Sequence, residues 1–225
     1  MIGKTLILVP SLMELEAVLA KMTIQMKVKK GPYTVYMCTG QRNYLVLGTG
    51  IGVASSAIAT GIALSSYSVS DILVLGIGGV MGPWAPAEVF EAESDTYLRL
   101  GSISDGVYSP LTKRLGLEPA GYPEVISSRF VFDACPFFPD LNRNIVAFGT
   151  ADQISSSEDL PFLEKNYPDL KVENMEGAAI AHAACLFNIP IYQIRVASNS
   201  VGNRDFRQWQ ISEAMQQLTT IGSML

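Results

Sequence analysis

Two apolar runs of strand length end in glycine clusters: Tyr44 to Leu47 runs into Gly48-Thr49-Gly50-Ile51-Gly52, and Asp71 to Leu75 into Gly76-Ile77-Gly78-Gly79. Another, Ile189 to Ala197, ends on the polar pair Ser198-Asn199. Upstream of it, Glu173-Asn174-Met175-Glu176-Gly177-Ala178-Ala179 places a carboxylate at the start of a helix predicted over 180–188. Sheets layered with helices bind small ligands where strand ends face helix starts. Several such ends on one sheet edge indicate an enzyme.

The rest of the chain supports that architecture. Thr5 to Val9 reads as a strand and Leu12 to Lys21 as a helix, with Glu14 and Glu16 in its first turns. Tyr33 to Cys38 and Tyr44 to Leu47 form a predicted hairpin, and Val53 to Ser66, rich in Ala, Ile and Ser, a closely packed helix. Ile145 to Phe148 is a predicted strand, a helix begins at Ser157-Glu158-Asp159, and Asp205 to Met224 closes the chain as a helix. Prolines at 83, 86, 110, 119, 123, 136 and 139 predict short strands and long loops between Pro83 and Pro139. Alternating strands and helices give an α/β layered fold with a central, mostly parallel sheet. No linker-like composition shift divides the chain, so residues 1–225 read as a single domain.

Composition narrows the function. Charged residues make up only 16%, and mean hydropathy is +0.26. The longest apolar runs fall far short of a membrane span, so the low charge points to a large interior or an apolar subunit interface. A net charge of −5 without a basic stripe argues against nucleic acid. The apolar run at the N-terminus is too short for a signal peptide, which predicts a cytoplasmic protein. Cys38, Cys135 and Cys185 are widely spaced and fit buried, reduced thiols, and neither they nor the lone His182 suggest a metal site.

Gly48-Thr49-Gly50-Ile51-Gly52 follows a strand and opens a helix, a geometry that cradles anions, although a tight turn also accounts for it. It fails the dinucleotide fingerprint, since Val53 or Ser55 stands where a small closing residue is required, and no Gly-Lys-Ser/Thr occurs. This disfavours a nicotinamide dehydrogenase. Glu176 could be an ordinary exposed helix-terminal carboxylate. Its small and apolar neighbours suggest burial instead, and a ribose diol would supply the donors it then needs. Ser198-Asn199 is either a strand-to-loop cap or a pair of donors facing the site. Glu14 and Glu16 lie two apart on a helix, so one can face the site while the other is solvated.

These residues resemble a family. Met13-Glu14-Leu15-Glu16 is similar to the Met-Glu-x-Glu segment of the methylthioadenosine/S-adenosylhomocysteine nucleosidases, on the hydrolytic branch of the nucleoside phosphorylase superfamily. Gly76-Ile77-Gly78-Gly79, Asn174-Met175-Glu176-Gly177-Ala178-Ala179 and Ile194-Arg195-Val196-Ala197-Ser198-Asn199 resemble three further segments of those enzymes, in the same order. Where the adenine-specific enzymes carry Asp, this chain has Asn199, and in that respect it resembles the futalosine hydrolases of menaquinone biosynthesis. An asparagine amide donates to a 6-oxo group and so favours hypoxanthine, but it delivers no proton.

The resemblance implies a three-layer nucleoside phosphorylase-like fold with a mixed, mostly parallel sheet flanked by helices. It further implies hydrolysis of an N-ribosidic bond of a small purine nucleoside, without cofactor, by a homodimer. Carried over by position, Glu16 activates water, Glu176 holds the ribose hydroxyls, and Asn199 reads the base. Arg195 supports Glu176 or the water network, and Met175 packs on the ribose. Gln153 and Ile154 lie along the base, and Ile77 and Gly78 belong to the substrate loop. Arg204, Phe206, Arg207 and Trp209 are expected near the 5′ substituent, where an arginine could bind an aromatic carboxylate. Activity on methylthioadenosine, S-adenosylhomocysteine or 6-amino-6-deoxyfutalosine remains open, as does a non-catalytic nucleoside-binding role. A phosphorylase is disfavoured, because Val9 to Ala20 offers two glutamates and no Arg or Lys for phosphate.

Overall fold

The computed structural model describes residues 3–105, 107–110 and 129–225. The apolar strands β1 (Lys4–Val9), β4 (Asn43–Gly48) and β5 (Val69–Val80) are buried on both faces. Their alternation sorts two cores. Ile7, Val9, Val46, Leu73 and Leu75 pack with α1 (Leu12–Leu19) and α5 (Ile211–Gly222), through Leu15, Val18, Ala214, Leu218 and Ile221. Leu6, Leu8, Leu45, Leu47, Ile72 and Val74 pack with α2 (Val53–Ser66) and α4 (Gly177–Leu186), through Ala59, Ala63, Ile180 and Ala184. Successive strand side chains point to opposite faces, so a continuous apolar run covers a helix layer on each side. The layered fold and mixed sheet are those the sequence indicated.

Among the described residues the main sheet has ten strands. Around β1 it is parallel: β1 lies between β4 and β5, and β5 pairs in parallel with β12 (Ile191–Ser200). Beyond β12 come β6 (Val89–Tyr97), β10 (Asn144–Thr150) and β11 (Leu170–Asn174). β11 then returns to pair antiparallel with the far end of β5, Val172 opposite Val80 and Glu173 opposite Gly79. Five strands thus form a closed ring, and β1, β4, β3 (Tyr33–Thr39) and β2 (Thr23–Lys30) extend from β5 as a wing. The wing ends on β2, where Lys27, Lys29 and Lys30 protect an edge strand that the sequence reading did not anticipate.

Three expectations need correction. Gly76 to Gly79 is part of β5 rather than a loop after it, because the missing side chains make room for neighbours to cross the strand. A Cβ on Gly76 would lie 2.5 Å from Arg195 Nη1 and 2.9 Å from Glu14 Oε1. The closing helix begins only at Ile211. Before it, Phe206–Gln208 forms a short 3₁₀ turn and Trp209 is extended, with the Gln210 N–H drawn 2.7 Å from Ser198 O. Cys185 is exposed while Cys38 and Cys135 are buried, since residues 185–188 at the end of α4 all face outward.

Between Pro83 and Pro139 the described residues include β6 and three short strands, β7 (Gly101–Ser104), β8 (Val107–Pro110) and β9 (Arg129–Val131). Residues 111–128, with Pro119 and Pro123, lie outside the described residues. Between β10 and β11 runs α3 (Leu160–Asn166). Among the described residues no helix is long and apolar enough to cross a membrane.

Candidate active site

A pocket opens where β1, β5, β11 and β12 end, roofed by Ile51, Ile154 and Trp209. Its first carboxylate comes from a capping box. Ser11 caps α1, its hydroxyl accepting from the Glu14 N–H at 3.3 Å, and Glu14 Oε2 accepts the Ser11 N–H at 2.9 Å and the Ser11 hydroxyl. That fold-back aims the other oxygen across the sheet edge, where Glu14 Oε1 accepts the Ile77 N–H at 2.8 Å. Glu14 is buried in the pocket and Glu16 is exposed. The expected placement of Glu16 in the site is therefore corrected. At about 100° per residue, two positions carry its side chain to the opposite side of the helix.

Glu176 precedes α4 and is 3% exposed. Its Oε1 accepts the Gly52 N–H at 3.1 Å, so the Gly48–Gly52 cluster binds a protein carboxylate, and its Oε2 pairs with Arg195 Nη2 at 3.2 Å. Burial pushes the Glu176 carboxyl above the usual range and Glu14 adds to this, while Arg195 and the Gly52 N–H oppose it. The pocket thus holds two carboxylates and one guanidinium, which pairs with Glu176, a set suited to a substrate that becomes positive.

Behind this pair lies a buried polar network. Asn174 Oδ1 accepts the N–H groups of Glu176 and Gly177 at 2.9 and 2.6 Å, capping α4 from two residues upstream. The Asn174 amide donates to Asp95 Oδ2 at 2.8 Å, as does that of Gln193 at 2.8 Å, and the Thr150 hydroxyl donates to Asp95 Oδ1 at 2.8 Å. Gln193 Oε1 in turn accepts from Arg195 Nη2 at 3.1 Å. With both amides turned toward Asp95, their oxygens face Arg195 and the start of α4. Burial raises the Asp95 carboxyl to about 6 despite those donors. Only glycine fits at 177, where a Cβ would stand 2.1 Å from Asp95 Oδ2.

At the other end, Ser198 donates to Asn199 Oδ1 at 2.7 Å, and Asn199 Nδ2 donates to Ser200 O at 3.1 Å, leaving one amide hydrogen for a ligand. Glu173 lines the same pocket, and burial raises its carboxyl against the opposing bonds from Ser155.

Of the residues singled out in the sequence, Ile77, Gly78, Ile154, Met175, Glu176, Arg195, Asn199 and Trp209 meet in this pocket. Gln153 does not: it is exposed and lines an adjacent cavity with Tyr97, Asp152 and His182, because the chain reverses its facing between 153 and 154. Arg204 is exposed and donates to Ile154 O at 2.5 Å. Phe206 is 60% exposed and packs on Trp209, ring centroids 4.7 Å apart, outside the lining. Arg207 is tied to Asp205 at 2.8 Å. Glu173 and Asn174 are lining residues given no role in the expected set, and Glu14 and Ser198, raised there only as alternatives, line the pocket too. For Glu14 the signal was present, as Ser11-x-x-Glu14 is a capping box at a strand end.

Residues 132–223 match the model of the phosphorylase superfamily. The chain is 31% identical over 183 residues to the futalosine hydrolase of Streptomyces coelicolor, covering 77% of this chain and 74% of that one. It is 28% identical over 187 residues to the futalosine hydrolase of Thermus thermophilus, covering 78% and 77%. A methylthioadenosine/S-adenosylhomocysteine nucleosidase of Desulfotalea psychrophila is 26% identical over 176 residues, covering 72% and 70%. Among solved structures, the Helicobacter pylori futalosine hydrolase superposes with a TM-score of 0.79 at 16% identity, covering 99% and 97% of the two chains. The Neisseria meningitidis nucleosidase bound to methylthio-immucillin-A gives 0.77 at 18% identity, covering 100% of each. The structural likenesses establish the fold.

Proposed function

This chain belongs to the futalosine hydrolase family of the phosphorylase superfamily, and from that membership we propose that it hydrolyses the N-ribosidic bond of futalosine and releases hypoxanthine. The observation that carries the reading is one pocket with Glu14 and Glu176 at one end and the Asn199 amide at the other. Glu176, held by Arg195, accepts from the ribose hydroxyls. Glu14 accepts a proton from water as its oxygen bonds to C1′. The C1′–N9 bond breaks, its electron pair passes into the purine, and Asn199 donates to O6. The base regains a proton from solvent. Carboxylates already aimed at a carbon that becomes cationic stabilise the transition state without reorganisation.

Several features support water over phosphate as the nucleophile. Among the described residues lining the pocket, Arg195 is the cation present, and Glu176 occupies it. Phosphate beside Glu14 would meet like charge. The reaction needs no metal or cofactor. We place the enzyme in the cytoplasm, in menaquinone biosynthesis, as a homodimer. Exposed Ile51, Ile58, Ile103 and Val107 are the kind of surface a partner copy would cover.

A base-release assay tests the reading, run with and without phosphate on futalosine, 6-amino-6-deoxyfutalosine, methylthioadenosine and inosine. Futalosine should react fastest, independently of phosphate. Phosphate dependence would make the chain a phosphorylase. Preference for methylthioadenosine would favour the other relatives' activity, and binding without turnover would leave a nucleoside-binding protein.

A further inference from the structure

Glu173 is a buried carboxylate in the pocket to which the reaction above gives no part. It is 6% exposed and lines the pocket together with Asn199 and Ile154. Its ladder partner on β5 is Gly79, and Gly79 is also the ladder partner of Asn199 on β12. One rung therefore runs Glu173–Gly79–Asn199 across three strands. With neighbouring strands about 4.8 Å apart, the outer two backbones stand roughly 10 Å apart. Gly79 puts no side chain between them, and a Cβ there would come 3.1 Å from Asn199 Nδ2. The rung is a slot with a carboxylate on one side and an amide on the other.

The Glu173 carboxylate keeps acceptor capacity. It accepts the Ser155 N–H at 3.1 Å on Oε1 and the Ser155 hydroxyl on Oε2. An ionised carboxylate offers about four acceptor sites, so two Ser155 bonds leave room for another donor. The edges of the candidate bases differ in just this respect. A 6-oxopurine presents the O6 acceptor beside an N1–H donor, whereas a 6-aminopurine presents an amino donor beside a bare N1 acceptor. A donor paired with an acceptor matches the first edge and mismatches the second twice. A buried polar group left unpaired is what gives such sites their discrimination.

We infer that Glu173 accepts the N1–H of the 6-oxopurine while Asn199 donates to O6, so that Glu173 is a second specificity-determining residue. This rests on the 6-oxopurine reading above. The competing role is purely structural: through Ser155, Glu173 would only hold the segment that carries Ile154.

Glu173→Gln keeps the shape, loses the charge and can turn a donor toward N1. It should lower kcat/KM for futalosine by about 10- to 100-fold, the range for a lost charge-assisted hydrogen bond. The 6-amino counterpart should be affected by less than about threefold. Ser155→Ala, which removes a support of the segment but leaves the carboxylate, should not change the ratio of the two substrates. If Glu173→Gln lowers both substrates equally, or Ser155→Ala reproduces its effect, Glu173 is structural and the inference is overturned while the 6-oxopurine reading stands. If the wild type itself prefers the 6-amino substrate, that reading falls and the inference with it. Wild-type enzyme with ¹⁵N-labelled hypoxanthine gives a readout independent of variant folding. The N1 imino proton should be shifted downfield and protected from exchange. An unshifted, freely exchanging proton overturns the contact.

Discussion

At the floor of the pocket, Glu14, Asn174, Glu176 and Arg195 arrive from different elements, and each is held by at least two hydrogen bonds or ion pairs. At the lip, Arg204, Phe206, Arg207 and Trp209 all come from one irregular stretch before α5, and the first three are exposed. The floor fixes charge: moving any one group there leaves a buried partner unpaired, a cost of several kcal/mol for ions. The lip fixes only shape, and its cations are satisfied by neighbours or water. Substitutions should therefore act strongly at the floor and weakly at the lip.

The largest expected contrast lies within a single helix. Glu14→Gln should reduce kcat about 10²- to 10⁴-fold, as for loss of a general base, with futalosine binding largely retained. Glu16→Gln should leave kcat within about twofold, since an exposed surface substitution has little to disturb. Steady-state kinetics of both variants decide it, and the reverse ranking would return the base to the solvent side of α1.

A second test concerns the network behind the floor. The Asp95 carboxyl stands at about 6 in the folded chain against 3.8 for a free aspartate side chain. Between those values the folded state holds a proton that the unfolded state has lost, so this group's contribution to stability falls as pH rises through the window. Raising the carboxyl that far corresponds to an effect on the order of 3 kcal/mol. Asp95→Asn removes the titration and imposes a roughly constant cost, because its NH₂ must face a donor. The stability advantage of the wild type should thus be greatest near pH 4 and shrink toward pH 7. Urea unfolding of both proteins across that range checks it, and a constant difference would show that Asp95 does not titrate there.

What the sequence disclosed follows the same division. Thr5 to Val9 and Val53 to Ser66 were legible because local periodicity and burial agree in them. Glu176 followed from a helix start and Asn199 from a strand end, while Arg195 came only from the family resemblance. The ring closure was not legible, since pairing of β11 with the far end of β5 depends on contacts between distant segments. The glycines at 76–79 read as a loop because a sequence does not show that Arg195 and Glu14 need the space above them. Asp95 gave no signal, as an acid in a strand looks like a solvated one until Gln193, Asn174 and Thr150 are folded around it. The break before α5 was hidden for a similar reason, its cause being a hydrogen bond to Ser198 on another strand.

The base end of the pocket should respond less than Glu14 but selectively. Asn199→Asp replaces the donor to O6 with an oxygen, which repels a 6-oxopurine and accepts from a 6-amino group. The ratio of kcat/KM for futalosine to its 6-amino counterpart should fall by about 10- to 100-fold, the worth of one or two such bonds. Ser198 can still donate to one carboxylate oxygen, whereas the other loses the bond that the amide donated to the Ser200 carbonyl. An unchanged ratio in a folded variant would mean that residue 199 does not read position 6.

The smallest effects belong to the lip, and there the two arginines separate. Arg207 is exposed and fully engaged by Asp205, through Nε at 2.8 Å and Nη2 at 2.9 Å. Its removal should change kcat/KM for futalosine by less than about twofold, as for other exposed pairs. Arg204 reaches the pocket wall itself, donating to the carbonyl of Ile154. Its removal should raise KM a few-fold, roughly the value of one hydrogen bond at an exposed site. If Arg204 also binds the aromatic carboxylate of futalosine, the loss will be larger for futalosine than for inosine, which lacks that group. If it only steadies Ile154, both substrates will lose equally. Measuring KM for both substrates in Arg204→Ala and Arg207→Ala separates these cases. A large loss in Arg207→Ala would break the contrast between floor and lip, because it would place a decisive charge on the exposed segment.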